Sequence, residues 1–175
     1  MKKLIFPVLA AVTFASSAFA GAPVKETKEP IPLEPCFKDQ EFQLDIFASY
    51  TDAVSRSSHG DGVGGGLALN YFFIKYLGVG VEGNIYDGDV NGAWDLGGRL
   101  IARFPIESGS LCIAPYIFGG GGVATDGVTA GTWNAGGGLE WRATHTIGIF
   151  GEGRYTWGAD NLDGAQARLG VRFVF

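Results

Sequence analysis

Ala167-Arg168-Leu169-Gly170-Val171-Arg172-Phe173-Val174-Phe175 is the stretch that decides the fold. Two rows interleave in it. Ala167, Leu169, Val171, Phe173 and Phe175 fall on one side of an extended chain, and Arg168, Gly170, Arg172 and Val174 fall on the other. An apolar row ending in an aromatic and backed by arginines suits a strand with lipid on one face and a polar interior on the other.

The opposite end of the chain agrees. Met1-Lys2-Lys3 is a short basic region, Leu4 to Ala15 is apolar apart from Thr13, and Ala18-Phe19-Ala20 is a small-x-small cleavage site. Residues 1–20 therefore read as a secretory signal peptide, and they are set aside from the fold. The 155 residues that follow are the length of one domain. Without Lys2 and Lys3, 11 basic side chains face 18 acidic ones, a formal charge of −7, which argues against a nucleic-acid partner. Twenty-nine glycines and 13% aromatic residues suit a narrow barrel lined by small residues and girdled by rings at the membrane interfaces. After the signal, no apolar run reaches the ~18 residues of a spanning helix. The longest, Leu111 to Ala124, is broken by Pro115 and by Gly119-Gly120-Gly121-Gly122. A membrane protein without helices must be a closed barrel, since lipid offers an open sheet edge no partner.

Residues 21–40 carry four prolines and five charges of mixed sign before Cys36, the composition of an extended, solvated tail. The barrel is assigned to residues 41–175. Eight alternating runs are read there: Glu41–Thr51, Gly62–Phe73, Leu77–Tyr86, Ala93–Phe104, Leu111–Val123, Thr132–Arg142, Thr146–Trp157 and the C-terminal strand. Each is near the ~9–11 residues that a tilted strand needs to cross a bilayer. Ile74–Tyr76, Pro105–Ser110 and Ala143–His145 are compact turns, while Asp52–Asp61, Asp87–Gly92, Ala124–Gly131 and Gly158–Gly164 are turn-rich, acidic loops. Aromatics test this register separately. Tyr71, Phe73, Tyr76, Phe104, Trp141, Phe173 and Phe175 gather at the turn end, and Tyr50, Tyr86, Trp94, Trp133, Tyr155 and Trp157 at the loop end, although Tyr86 has interior parity.

These features are pattern-level. The signal peptide, Leu67-Ala68-Leu69-Asn70-Tyr71-Phe72-Phe73 leading into Leu77-Gly78-Val79-Gly80-Val81-Glu82-Gly83, the segment Ala114-Pro115-Tyr116-Ile117-Phe118-Gly119-Gly120-Gly121-Gly122 and the terminal Phe175 resemble small bacterial outer-membrane β-barrels of the outer membrane protein A transmembrane-domain or opacity-porin type. The likeness covers about residues 41–175. It implies an all-β, eight-stranded antiparallel up-and-down transmembrane β-barrel in the bacterial outer membrane, with short turns and both termini in the periplasm. It also implies lipid, lipopolysaccharide and the barrel-assembly machinery as partners, and leaves the ligand unknown.

The interior face of the strands holds Asp45, Glu82, Asp95, Glu140 and Glu152 against Arg99, Arg103, Arg142, Arg154, Arg168 and Arg172. The interior of an eight-stranded barrel is only wide enough to be filled by side chains. An unpaired ion there costs several kcal/mol. Glu82, Glu140 and Glu152 are accordingly expected to form an ion-pair network with Arg99, Arg168 and Arg172 that plugs the lumen. Arginine suits the task because its planar fork can hold carboxylates bidentately.

Other motifs have plainer readings. Gly78-Val79-Gly80-Val81-Glu82-Gly83 matches GxGxxG, but alternation continues through Asn84-Ile85-Tyr86 where a dinucleotide site needs a helix, so no cofactor is expected. Asp87, Asp89, Asn91 and Asp95 follow half of a calcium-loop pattern, with Gly98 at the bidentate position; an ordinary hairpin turn is the plainer reading. Ser57-Ser58-His59-Gly60-Asp61 brings nucleophile, base and acid types together without the fixed geometry of a triad. Cys36 and Cys112 fall near the same rim of the barrel; a disulfide fastening the tail there and two free thiols are both open. The functional expectation is a non-enzymatic envelope or surface-interaction barrel. A narrow porin-like channel is the alternative, and a lipid A-modifying enzyme comes third.

Overall fold

A strand with one apolar row and one charged row is tolerated by lipid only when both of its edges are paired. The computed structural model describes residues 35–53, 62–86, 93–126, 128–158 and 163–175, and in it the sheet closes on itself. Its strands are β1 (Glu41–Ala53), β2 (Gly62–Ile74), β3 (Leu77–Tyr86), β4 (Ala93–Arg103), β5 (Ile106–Ser108), β6 (Leu111–Asp126), β7 (Val128–Arg142), β8 (Ile147–Gly158) and β9 (Gly164–Val174). Neighbours in sequence pair antiparallel except β4 and β5; β4 pairs instead with β6, and β9 returns to β1. Eight strands make the closed up-and-down barrel. The three-residue β5 only lines the first residues of β6.

The register fixes the shape. Partners followed once round, from Gln43 through Asn70, Gly80, Arg99, Gly120, Asn134, Thr156 and Gly164, return to β1 at Ala53, ten residues further along. That stagger corresponds to strands tilted by roughly 35–45°. Outside, Leu67, Val81, Leu100, Ile117 and Leu169 are exposed along the belt, as the apolar row of a membrane strand must be. Rings flank that belt at both ends, with Tyr71 against Phe73 and Phe42 near Phe175 at the turn end, and Tyr155 against Trp157 at the loop end.

Three stretches differ from the sequence reading. Ala124–Gly131, read as a loop, continues the β6–β7 ladder out to Asp126 opposite Val128. Ala124 and Ala130 are buried there, and the Thr125 and Thr129 hydroxyls lie 2.9 Å apart, so alternation persists under a weak hydrophobic signal. Within Pro105–Ser110, read as a turn, Ile106–Ser108 is extended, and the reversal falls instead near Gly109, whose φ of +58° is left-handed. Residues 35–40, read as the end of a solvated tail, sit on the barrel rim with Phe37 only 1% exposed.

The glycine content has an interior cause. Phe47, Phe72, Tyr116, Phe118 and Phe150 point inward, and their register partners on the next strand are Gly66, Gly78, Gly138, Gly136 and Gly170. A β-carbon on any of these five glycines would approach the ring within 2.6–2.9 Å. Each ring thus lies flat on bare backbone, and the rings become a floor for the charges above them.

Candidate functional site

The charged side chains of the interior form one connected column along the barrel. At the turn end, Arg142 binds Glu41 (2.5 Å) and Glu140 (2.7 Å), and Arg103 also reaches Glu41 (2.8 Å). Glu140 passes the chain to Arg172 (2.6 Å), and Arg172 to Asp45 (2.6 Å). Asp45 meets Arg99 (3.4 Å), which holds Glu152 (3.2 Å) and Glu82 (3.3 Å). Arg168 bridges Glu152 (3.3 Å) and Glu82 (2.9 Å). Towards the loop end Glu82 pairs with Arg154, which also binds Asp95 (3.1 Å). Acid and base alternate at every step.

The geometry follows from strand parity. Because each strand turns every second residue inward, the tilt carries successive inward residues of neighbouring strands up the axis, and opposite signs meet across the lumen. Neutral groups fill several of the remaining valences, although Arg103 Nη2 and Arg154 Nε are left without one. Asn70 donates to Asp45 (2.9 Å) and accepts from Arg99 Nε (3.2 Å), while the Tyr116 hydroxyl donates to Glu152 (2.9 Å). The flat rings also contribute a face to the guanidinium groups. Arg103 lies 3.8 Å from the Phe72 centroid, Arg168 4.4 Å from Phe47 and Arg172 4.7 Å from Phe150. A guanidinium is thereby sandwiched between a ring and carboxylates, an arrangement that lysine's point charge would not fill.

Glu82, Glu140, Glu152, Arg99, Arg168 and Arg172, the six residues of the expected network, all stand in this column, connected through Asp45. Glu140 and Arg172 belong to its turn-end half, and the other four meet higher up. Asp45 joins the halves. Sequence reading left out Glu41, which makes the count six acids to six arginines. The signal was available, since Glu41 shares parity with Gln43 and Asp45; its place beside the tail hid it. Phe37, between Arg103 (4.8 Å) and Arg142 (4.3 Å), had no periodic signal at all.

Cys36 and Cys112 are joined by a disulfide, with Cα atoms 6.0 Å apart. Of the half calcium motif, Asp87, Asp89 and Asn91 lie outside the described residues, and Asp95 is held by Arg154 and by the Asn84 amide (3.1 Å). Among the described residues, no group of three or more His, Cys, Asp or Glu side chains is placed to hold a metal ion. Ser57, Ser58, His59 and Asp61 also lie outside the described residues. His145 is exposed in the β7–β8 turn. The GxGxxG match lies within β3, with Gly78, Gly80 and Glu82 on the interior parity.

A closed eight-stranded antiparallel barrel, apolar outside and filled with charge inside, has the fold of the small bacterial outer-membrane β-barrels. The chain is similar in structure to the N-terminal β-barrel domain of Pseudomonas aeruginosa OprF, with 17% identity over 79% of this chain and 99% of that one and a TM-score of 0.63. It is similar also to Neisserial surface protein A (16% identity, 76% of this chain and 95% of that one, TM-score 0.58). A third likeness is to Ail, the attachment invasion locus protein of Yersinia pestis (15% identity, 78% and 99%, TM-score 0.51). At these identities the likeness is one of fold. No protein-family model and no curated protein matches the sequence.

Proposed function

We propose that the chain is an integral outer-membrane β-barrel, its turn end and both termini facing the periplasm, that serves an envelope or surface-interaction role without catalysis. The ion-pair column plugs its lumen. The observation that carries this reading is the pairing of six buried or half-buried acids with six buried arginines along the axis, with no uncompensated lumen charge among the described residues for a permeating ion to replace. Opening a path would mean separating buried pairs, at about 3–5 kcal/mol for each one broken. The exposed belt and its rings favour lipid and lipopolysaccharide as the surroundings, and the terminal aromatic strand favours delivery by the barrel-assembly machinery.

Planar-bilayer recording tests the plug. Wild-type protein, shown to be folded by heat-modifiable mobility in detergent gels, is expected to give no steady conductance of small ions. Steady single-channel conductance would replace this reading with a narrow porin-like channel.

A further inference from the structure

The closed strand order places β6 four strands from β1 in either direction. Cys112, second residue of β6, therefore stands across the turn-end mouth from the point where the chain enters β1 at Glu41. Eight strands about 4.8 Å apart at this tilt enclose a mouth about 16 Å across. The five steps from Cys36 to Glu41 can extend up to about 17 Å, enough to cross and turn. The turn is visible at Gln40, whose φ is +56°.

On its way the segment is tied to several sides of the rim. Asp39 accepts from the Lys75 backbone N–H in the β2–β3 turn (2.7 Å), Glu107 of β5 accepts from the Cys36 N–H (3.2 Å), and Arg142 at the end of β7 donates to the Cys36 carbonyl. The two faces of the segment differ. Lys38, Asp39 and Gln40 are exposed, whereas Phe37 packs on Cys112 and Ala114 and separates the Arg103 and Arg142 guanidinium groups from the outside.

We infer that residues 36–40 are a latched floor, which seals the turn end of the ion-pair column from water and is locked by the Cys36–Cys112 bond once the sheet has curled. A cross-mouth bond needs the curvature of the barrel, because β1 and β6 are not neighbours in any hairpin. Closing it removes two electrons and two protons from the two thiols. A disulfide of the thiol-oxidoreductase class accepts them: one cysteine thiolate attacks it, the other attacks the resulting mixed disulfide, and the carrier leaves as a dithiol. This oxidation step rests on the turn end facing the periplasm, as proposed above; the seal does not.

The test uses a reporter thiol at Gln43, which is fully buried, faces the lumen just above the floor and donates to Glu41 (2.6 Å). Full-length Gln43→Cys protein is refolded in vesicles with the native disulfide intact, and its modification by a small water-soluble thiol reagent is followed by mass spectrometry. The same reporter is then measured with Cys36→Ser and Cys112→Ser together, and separately with Phe37→Ala and the disulfide intact, each checked for heat-modifiable mobility. The floor predicts modification at least about tenfold faster in both backgrounds. Equal rates would overturn it, and if the double serine variant does not fold, the Phe37→Ala comparison decides alone. Conductance of the floorless barrels separates the two proposals. Faster labelling with no conductance supports both, whereas faster labelling with conductance supports the floor and removes the plug.

Discussion

The two halves of the lumen are built from the same residue types and end differently. At the turn end, the side chains of Glu41, Arg103, Glu140, Arg142, Arg172 and Asp45 are at most 2% exposed, and Phe37 lies against the two outermost arginines, Arg103 and Arg142. At the loop end only the last pair opens to solvent: Glu82, Glu152, Arg99 and Arg168 are still at most 2% exposed, but Arg154 is 5% exposed and Asp95 15%, among amides and hydroxyls such as Asn84, Asn134, Thr132 and Gln166. The difference shows where balance is compulsory. In the dry half every charge needs a counter-charge, because Coulomb energies rise as water is excluded. Beside Asp95, at the loop-end tip of the column, solvent can stand in for a missing partner.

The largest effect is therefore expected in the dry half, from Arg172→Met. Arg172 is held by both Asp45 oxygens (2.6 and 2.7 Å) and by Glu140 (2.6 Å), over the ring of Phe150. Methionine keeps much of the volume but leaves the column one positive charge short, with Asp45 left to Arg99 at 3.4 Å and Glu140 to Arg142 at 2.7 Å. A loss of about 3–5 kcal/mol is expected, read as a lowered urea midpoint for unfolding from vesicles. A loss below about 1 kcal/mol would mean that water reaches this half, and the contrast between the ends would collapse.

A middle-sized effect is expected where the halves join. Tyr116 stands at that junction, its hydroxyl on Glu152 and its face 5.5 Å from Arg172. A β-carbon on Gly138 would come within 2.6 Å of the ring and 2.5 Å of the Gly151 carbonyl, so Gly138→Val must displace one or the other. About 1–3 kcal/mol is expected for such overpacking. Gly153, which faces outward and would meet nothing within 4 Å, supplies the control; Gly153→Ala should stay within about 0.5 kcal/mol. Equal urea midpoints for the two variants would show that the ring does not need its glycine floor.

Strand parity made the barrel legible, and nearly all of the column with it. In residues 167–175 the rows are so regular that Arg168 and Arg172 could be placed inside before any partner was known, and β9 holds both there. Parity gives the side of the wall but not the height along the axis, which depends on the ten-residue stagger accumulated round the barrel. For this reason parity alone does not separate Glu140 and Arg172 from Glu82 and Arg168, which stand in the other half. The floor was less legible still. Phe37 sits among prolines and mixed charges, and only a cross-barrel contact explains why an aromatic is there.

The smallest effect should come from Asp95→Asn, and its size matters most relative to the first. Asp95 touches Arg154 at 3.1 Å and Arg168 at 3.9 Å, but both arginines also hold Glu82, so neither loses its last carboxylate. The asparagine retains an acceptor for the Asn84 amide, and the site is part-exposed. A change below about 1 kcal/mol is expected, as for pairs that water can replace. Raising the salt from 0.1 M to 1 M shortens the screening length from about 10 Å to about 3 Å, so the Asp95→Asn difference should shrink further. The Arg172→Met difference should hardly move, because mobile ions do not enter the dry half. If both differences fell together with salt, the lumen would be evenly hydrated from end to end, and the turn end would owe its low exposure to packing alone.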